Sequence, residues 1–144
     1  MGSGIKVQDV MVKRIIAMDA RKTVAEAARR MAQNEVGSVI VTNDKKEVKG
    51  IITERDIVRR VVAKGLDAKR KRLETVMTKG VITVAPEIDL EKAAKLMIRK
   101  KVKRLPVIDK KGILIGIISE DDMSRAWPGL IDIAEEREYL KAEM

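Results

Sequence analysis

Two short stretches of the chain place a hydroxyl three residues ahead of a carboxylate, each directly after an apolar run: Gly50-Ile51-Ile52-Thr53-Glu54-Arg55-Asp56 and Gly116-Ile117-Ile118-Ser119-Glu120-Asp121-Asp122. A strand that delivers such a turn into a helix N-terminus gathers exposed N–H groups and the positive end of the helix dipole, which suits an anion. The Thr53 hydroxyl can donate to a phosphate or sugar oxygen, and the Asp56 carboxylate can accept two hydrogen bonds from a vicinal diol. The same residues can also form a capping box, with Thr53 bonding forward and Asp56 reaching back. The two roles are compatible, and both apply equally to Ser119 and Asp122.

Other chemistry is closed off by what the chain lacks. It contains no histidine and no cysteine, which removes Ser-His and Cys-His triads, thiolate metal sites and disulfides. No nucleophile–base pair is visible among the remaining carboxylates and lysines, so the expectation is a protein that is not an enzyme and holds no metal. The net charge of +9 and the run Lys69-Arg70-Lys71-Arg72 invite a nucleic-acid reading. Single-strand binders add stacking aromatics, however, and here Trp127 and Tyr139 are the only ones. A solvated basic linker on a charged, thermophile-like surface accounts for the charge better, although small anions such as nucleotide phosphates could exploit the same field. No apolar run approaches a membrane span and no signal-peptide pattern is present. The expectation is a soluble, cytoplasmic protein.

The two turns belong to a larger duplication. Residues 7–60 slide onto 73–126 by a shift of 66 without a gap, and 16 of the 54 positions are identical, among them Val10/Val76, Met31/Met97, Gly50/Gly116, Glu54/Glu120 and Asp56/Asp122. Each copy reads strand, helix, strand, strand, helix. In the first, Ile15–Met18 is a brief strand, and Thr23 with Glu26 forms a capping box. Val24, Ala27, Ala28 and Met31 then stripe one helix face. Ser38–Val41 and Val48–Ile52 make a hairpin, and Ile57, Val58, Val61 and Val62 supply the apolar residues of the last helix. In the second copy, Val81–Val84 is the strand and Leu90, Ala93, Ala94 and Met97 are the stripe. Leu105–Ile108 and Ile113–Ile118 make its hairpin. Neither copy can hide its apolar faces alone. The expected architecture is α+β: two βαββα repeats packed about a pseudo-twofold axis, plus a C-terminal helix. The divisions are 7–62 (first repeat), 63–72 (basic linker), 73–127 (second repeat) and 128–144 (helical extension).

The V-M lead-in, the A-A-x-x-M helix and G-I-I-[TS]-x-x-D, each found twice in register over 7–126, together with the R-L-P-V-I-D strand of the second copy, resemble the cystathionine-beta-synthase (CBS) domain; two in tandem resemble a Bateman module. That resemblance implies a regulatory module that binds an adenine nucleotide (AMP, ADP or ATP) or a related adenosyl compound such as S-adenosylmethionine, in clefts between the repeats. One site would join Thr53 and Asp56 with Val81 and Ile82, flanking a base, and with Lys103 and Arg104. Arg104 is placed like a phosphate-contacting basic residue of nucleotide-binding family members, and a forked guanidinium fits phosphate; on residue grounds alone it is equally an ordinary surface arginine. A second site would join Ser119 and Asp122 with Ile15, Ile16, Gly37 and Ser38. There Gly37-Ser38 stands in for Lys103-Arg104, and Asp121 for Arg55, so this site is expected to be the weaker one for a phosphorylated ligand. The resemblance further implies a homodimer and a separate effector protein. The alternatives from the residues are a nucleic-acid-associated basic protein and a purely structural dimerisation module.

Overall fold

The computed structural model of the chain describes residues 2–127. Along them run α1 (Val7–Val10), β1 (Ala17–Asp19), α2 (Val24–Asn34), β2 (Ser38–Thr42), β3 (Val48–Thr53), α3 (Glu54–Ile57), a π-helical turn at Val58–Val62, α4 (Leu73–Val76), α5 (Leu90–Lys100), β4 (Arg104–Ile108), β5 (Leu114–Ser119) and α6 (Glu120–Ala126). The mixed α+β class agrees with expectation, whereas the extension expected at 128–144 lies outside the described residues. No helix among them is long and apolar enough to cross a membrane. The chain forms two compact units that cut across the sequence repeats. A first-body unit comprises Arg14–Val81 with Gly112–Leu114, and a second-body unit comprises the residues through Lys13, Ile82–Lys111 and Ile115 onward. Each unit therefore combines the body of one repeat with the short helix that opens the other.

In the first-body unit the expected capping box starts α2: Glu26 N donates to Thr23 Oγ1 at 3.2 Å and Thr23 N to Glu26 Oε2 at 3.0 Å. The stripe residues Val24, Ala27 and Met31 are buried. They pack with Met18, Val39, Val41 and Ile52 from a sheet in which β1 runs parallel and β3 antiparallel to the central β2. Leu73 and Val76 of α4 complete this core. The linker does more than span a gap. Val24 N donates to Lys71 O and Ala25 N to Ala68 O, both at 2.9 Å, so linker carbonyls satisfy two of the orphan N–H groups at the start of α2. The helix expected after Thr53 starts as α3 and then widens into the π turn. With more residues per turn, the four valine and isoleucine positions no longer share a face. Val61 is buried, while Val58 and Val62 are 58% and 66% exposed.

The second-body unit repeats these arrangements at the 66-residue offset. Leu90, Ala93, Ala94 and Met97 of α5 are buried with Leu105, Val107, Ile118 and Met123, and Val7 of α1 joins them. Val7 N donates to Ile88 O and Leu90 N to Ile5 O, at 2.9 and 2.8 Å, as Leu73 N does to Lys22 O and Val24 N to Lys71 O in the other unit.

One expected element is missing. Val81–Val84 is not a strand; only Val84 bridges, in parallel, to Val107. Prolines explain the loss. In the first-body unit Ile40 N donates to Ile16 O and Ala20 N to Thr42 O, each at 2.9 Å. The corresponding donors in the second copy are Pro106 and Pro86, which carry no N–H. Two bonds remain, Val84 N to Pro106 O and Ile108 N to Val84 O. The first strand is also displaced, since β1 begins at Ala17 and leaves both Ile15 and Ile16 outside it.

The glycine shared by both hairpins has a packing cause. Residue 78 pairs with Ile51 through bonds of 3.1 and 2.9 Å, and Val12 pairs likewise with Ile117. This lays the opening segment across the hairpin. A Cβ on Gly50 would meet Met77 Cγ and Thr78 O at 2.8 Å, and one on Gly116 would meet Met11 Cγ at 3.1 Å.

Candidate functional site

The site builds up from the two strand-to-helix turns. β3 ends at Thr53 with extended backbone (φ −114, ψ 166), and α3 begins at the next residue. Asp56 N donates to Thr53 Oγ1 at 3.1 Å, and Thr53 N donates to Asp56 Oδ2 at 3.0 Å. In the second-body unit Asp122 N donates to Ser119 Oγ and Ser119 N to Asp122 Oδ2, both at 3.1 Å. Both turns are thus complete capping boxes, each worth about 1 kcal/mol to its helix. Capping leaves ligand capacity in hand. Each hydroxyl acts as an acceptor toward the backbone and retains its own O–H to donate, and each carboxylate retains Oδ1.

The free oxygens differ. Asp122 Oδ1 accepts a hydrogen bond from Arg125 at 2.8 Å. Asp56 Oδ1 is 3.8 Å from Arg60 Nε, an ion pair beyond hydrogen-bond length. Arg60 instead donates to Val76 O at 3.0 Å. Sequence reasoning overlooked both arginines, although a base three or four residues after a helical carboxylate is the usual signal for such a pair.

The predicted residues fall into two sets. Ile15, Ile16, Gly37, Ser38, Thr53, Asp56 and Val81 lie in the first-body unit; Ile82, Lys103, Arg104, Ser119 and Asp122 lie in the second. Within the first, Ser38 is the register partner of Thr53, and Glu54 N donates to Gly37 O at 3.0 Å. Ile16 O accepts from Ile40 N at 2.9 Å, which ties that residue to the same strand. Within the second, Glu120 N donates to Lys103 O at 2.9 Å, so Lys103 and Arg104 open the hairpin beside the Ser119 turn. Lys103 is exposed and Arg104 half-buried at the start of β4. Val81 and Ile82 are half-buried and, contrary to expectation, outside any strand. Among the described residues no group of three or more His, Cys, Asp or Glu could hold a metal ion.

Comparison with known proteins adds a family. The CBS domain model matches twice, over residues 7–63 and 73–129. An uncharacterised protein of Methanopyrus kandleri is 36% identical over 92% of this chain and 67% of its own length. The crystal structure of an uncharacterised conserved protein from Pyrococcus horikoshii is 29% identical with a TM-score of 0.78, covering 88% of this chain and 94% of that one. The CBS domain pair of protein MJ0100, solved in complex with 5′-methylthioadenosine and S-adenosyl-L-methionine, is 26% identical with a TM-score of 0.76, covering 84% and 94%.

Proposed function

Since the chain belongs to the CBS domain family and carries two copies of its domain, we propose that it is a ligand-sensing regulatory module that binds an adenine nucleotide (AMP, ADP or ATP) or a related adenosyl compound. Its role is regulatory rather than catalytic, exercised in the cytoplasm on a separate effector protein. The observation that carries this reading is the Thr53–Asp56 turn. Its hydroxyl proton is unclaimed among the described residues, and its Asp56 Oδ1 meets Arg60 only as an ion pair at 3.8 Å, without a hydrogen bond. In this reading Asp56 takes the ribose diol and Thr53 a ribose or phosphate oxygen. Val81 and Ile82 flank the base, and Lys103 with Arg104 answers the phosphate. The second site, with Ile15, Ile16, Gly37, Ser38, Ser119 and Asp122, is weaker. It lacks a cation at the positions of Lys103 and Arg104, and Arg125 already occupies Asp122 Oδ1. The module acts as a homodimer, for which the exposed Val58 and Val62 offer apolar surface.

The test is a thermal-shift and calorimetric panel of AMP, ADP, ATP, 5′-methylthioadenosine and S-adenosylmethionine on the wild type and Asp56→Asn. Asparagine keeps an acceptor for the cap but loses the charge. Charge-assisted hydrogen bonds contribute about 1.5–3 kcal/mol, so affinity should fall on the order of 10- to 100-fold. A wild type that responds to none of the five, or a variant that responds as well as the wild type, would refute the assignment.

A further inference from the structure

Beside α2 in the first-body unit lies a groove of about 380 Å³ lined by Met18, Lys22, Glu26, Arg29, Arg30 and Gln33. None of these residues belongs to the nucleotide site proposed above. Glu26, Arg29, Arg30 and Gln33 follow the i, i+3, i+4, i+7 spacing that aligns side chains on one helix face. Lys22, Arg29, Arg30 and Gln33 are exposed.

The positive charge of this groove exceeds its negative charge, and no ion pair ties it down, for a definite reason. Arg30 stands four residues after Glu26, the spacing at which Glu91 and Lys95 of α5 form an ion pair at 3.3 Å. In α2 that pair does not form, because Glu26 Oε2 is turned back to accept the Thr23 N–H. The neighbouring acids Asp19 and Asp44 are both engaged by Arg21. Among the described residues no acidic side chain pairs with Lys22, Arg29 or Arg30. Three cations and an amide donor thus share one groove with a single carboxylate already committed to the backbone. The second copy carries a different set: at the 66-residue offset Ile88, Lys92, Leu96 and Arg99 stand for Lys22, Glu26, Arg30 and Gln33, and Lys95, in the place of Arg29, is paired with Glu91. The feature is therefore not a requirement of the scaffold.

We infer that this groove binds a small molecule carrying two or more linked phosphate groups. The lining contains no aromatic ring to stack a base, so recognition rests on phosphate oxygens. Guanidinium groups present planar pairs of donors suited to them. Val24 to Arg30 spans roughly 9 Å of helix rise, with Lys22 beyond it. A single phosphate cannot bridge that length unless both long side chains fold inward, whereas linked phosphates engage both ends.

The experiment is isothermal titration of the intact chain with inorganic tripolyphosphate, pyrophosphate and orthophosphate. Wild type, Arg29→Glu/Arg30→Glu, the milder Arg29→Gln/Arg30→Gln, Lys103→Gln/Arg104→Gln, and Lys92→Glu on exposed α5 surface are compared, with circular dichroism and Tm confirming the fold. Tripolyphosphate should bind more tightly than orthophosphate and weaken about tenfold as salt rises from about 50 to 300 mM. Both Arg29/Arg30 double variants should lose at least about tenfold in affinity, while Lys103→Gln/Arg104→Gln and Lys92→Glu bind as wild type. The inference fails if Lys92→Glu weakens binding as much as the Arg29/Arg30 variants, which marks a diffuse field. It also fails if orthophosphate binds as well as tripolyphosphate. Short duplex DNA that binds and is not displaced by tripolyphosphate overturns it as well. Insensitivity to Lys103→Gln/Arg104→Gln separates this groove from the phosphate end of the nucleotide site.

Discussion

Asp56, Asp89 and Asp122 show how the same side chain serves different ends through its second oxygen. In Asp122 that oxygen is taken by Arg125, in Asp56 it is left at the edge of an ion pair, and in Asp89 both oxygens fasten the N-terminal segment to α5. Ser3 N donates to Asp89 Oδ1 at 2.9 Å, Glu91 N at 2.8 Å and the Ser3 hydroxyl at 3.0 Å, while Gly4 N reaches Oδ2 at 3.2 Å. These donors, the Ser3 amide foremost, hold the Asp89 carboxyl below its ordinary value. Asp19 is held at about 2, chiefly by its hydrogen bond from Arg21. A depressed carboxylate contributes stability that is present above the unfolded value of about 3.9 and lost as pH falls through the folded value. The chain should therefore lose stability below about pH 4, and Asp89→Asn should flatten part of that loss while leaving the midpoint near pH 7 lower than wild type. Denaturant melts at pH 3 and pH 7 decide it; an unchanged pH dependence would show that Asp89 carries none of it. The capping roles of Thr53, Asp56, Ser119 and Asp122 were legible because a cap is a local relation over three residues. The engagement of Asp122 by Arg125 was not, because helical spacing permits the pair without saying which rotamer takes it.

At the scale of elements, the copies agree wherever side chains decide and part wherever the backbone does. The helix stripes and both hairpins were readable from apolar period alone. The failed strand at 81–84 was not, although Pro86 and Pro106 stood in plain view. Their effect depends on which N–H faces the neighbouring strand, and register is a property of the folded sheet. Restoring one donor tests this account. In Pro106→Ala the new amide should bond to Ile82 O, as the Ile40 amide bonds to Ile16 O in the intact ladder, and should exchange slowly. An amide at 106 that exchanges freely would place the cause of the break elsewhere. The π turn belongs with this lesson. An apolar run at 57–62 predicts a buried face only if the helix keeps its period, and here the backbone widens after Ile57.

For the molecule as a whole, the repeat is the pattern in the sequence and the compact unit is the pattern in space. Each unit borrows its opening helix from the other copy. No alignment of the chain with itself could reveal this, since both copies present the same lead-in and either partner satisfies the same apolar contacts. The borrowing makes an uneven prediction for truncation. Removing residues 2–12 takes Val7 from a core that also contains Leu90, Met97, Leu105 and Ile118, and strips Ile5, Val10 and Met11 from its margin. Losing one buried aliphatic side chain alone costs about 1.5–3 kcal/mol. Amide protection should therefore fall first in α5, β4 and β5, far along the chain from the cut, while α2, β2 and β3 keep theirs; loss confined to the first repeat's own body would contradict the exchange. The same arrangement bears on inheritance. The segment that was duplicated is not the segment that folds, so a polypeptide holding a single copy could complete a unit only by trading opening helices with a second molecule, a step sensitive to dilution. Fusing the copies turns that trade into an event within one chain, at an effective concentration set by the ten-residue tether of residues 63–72.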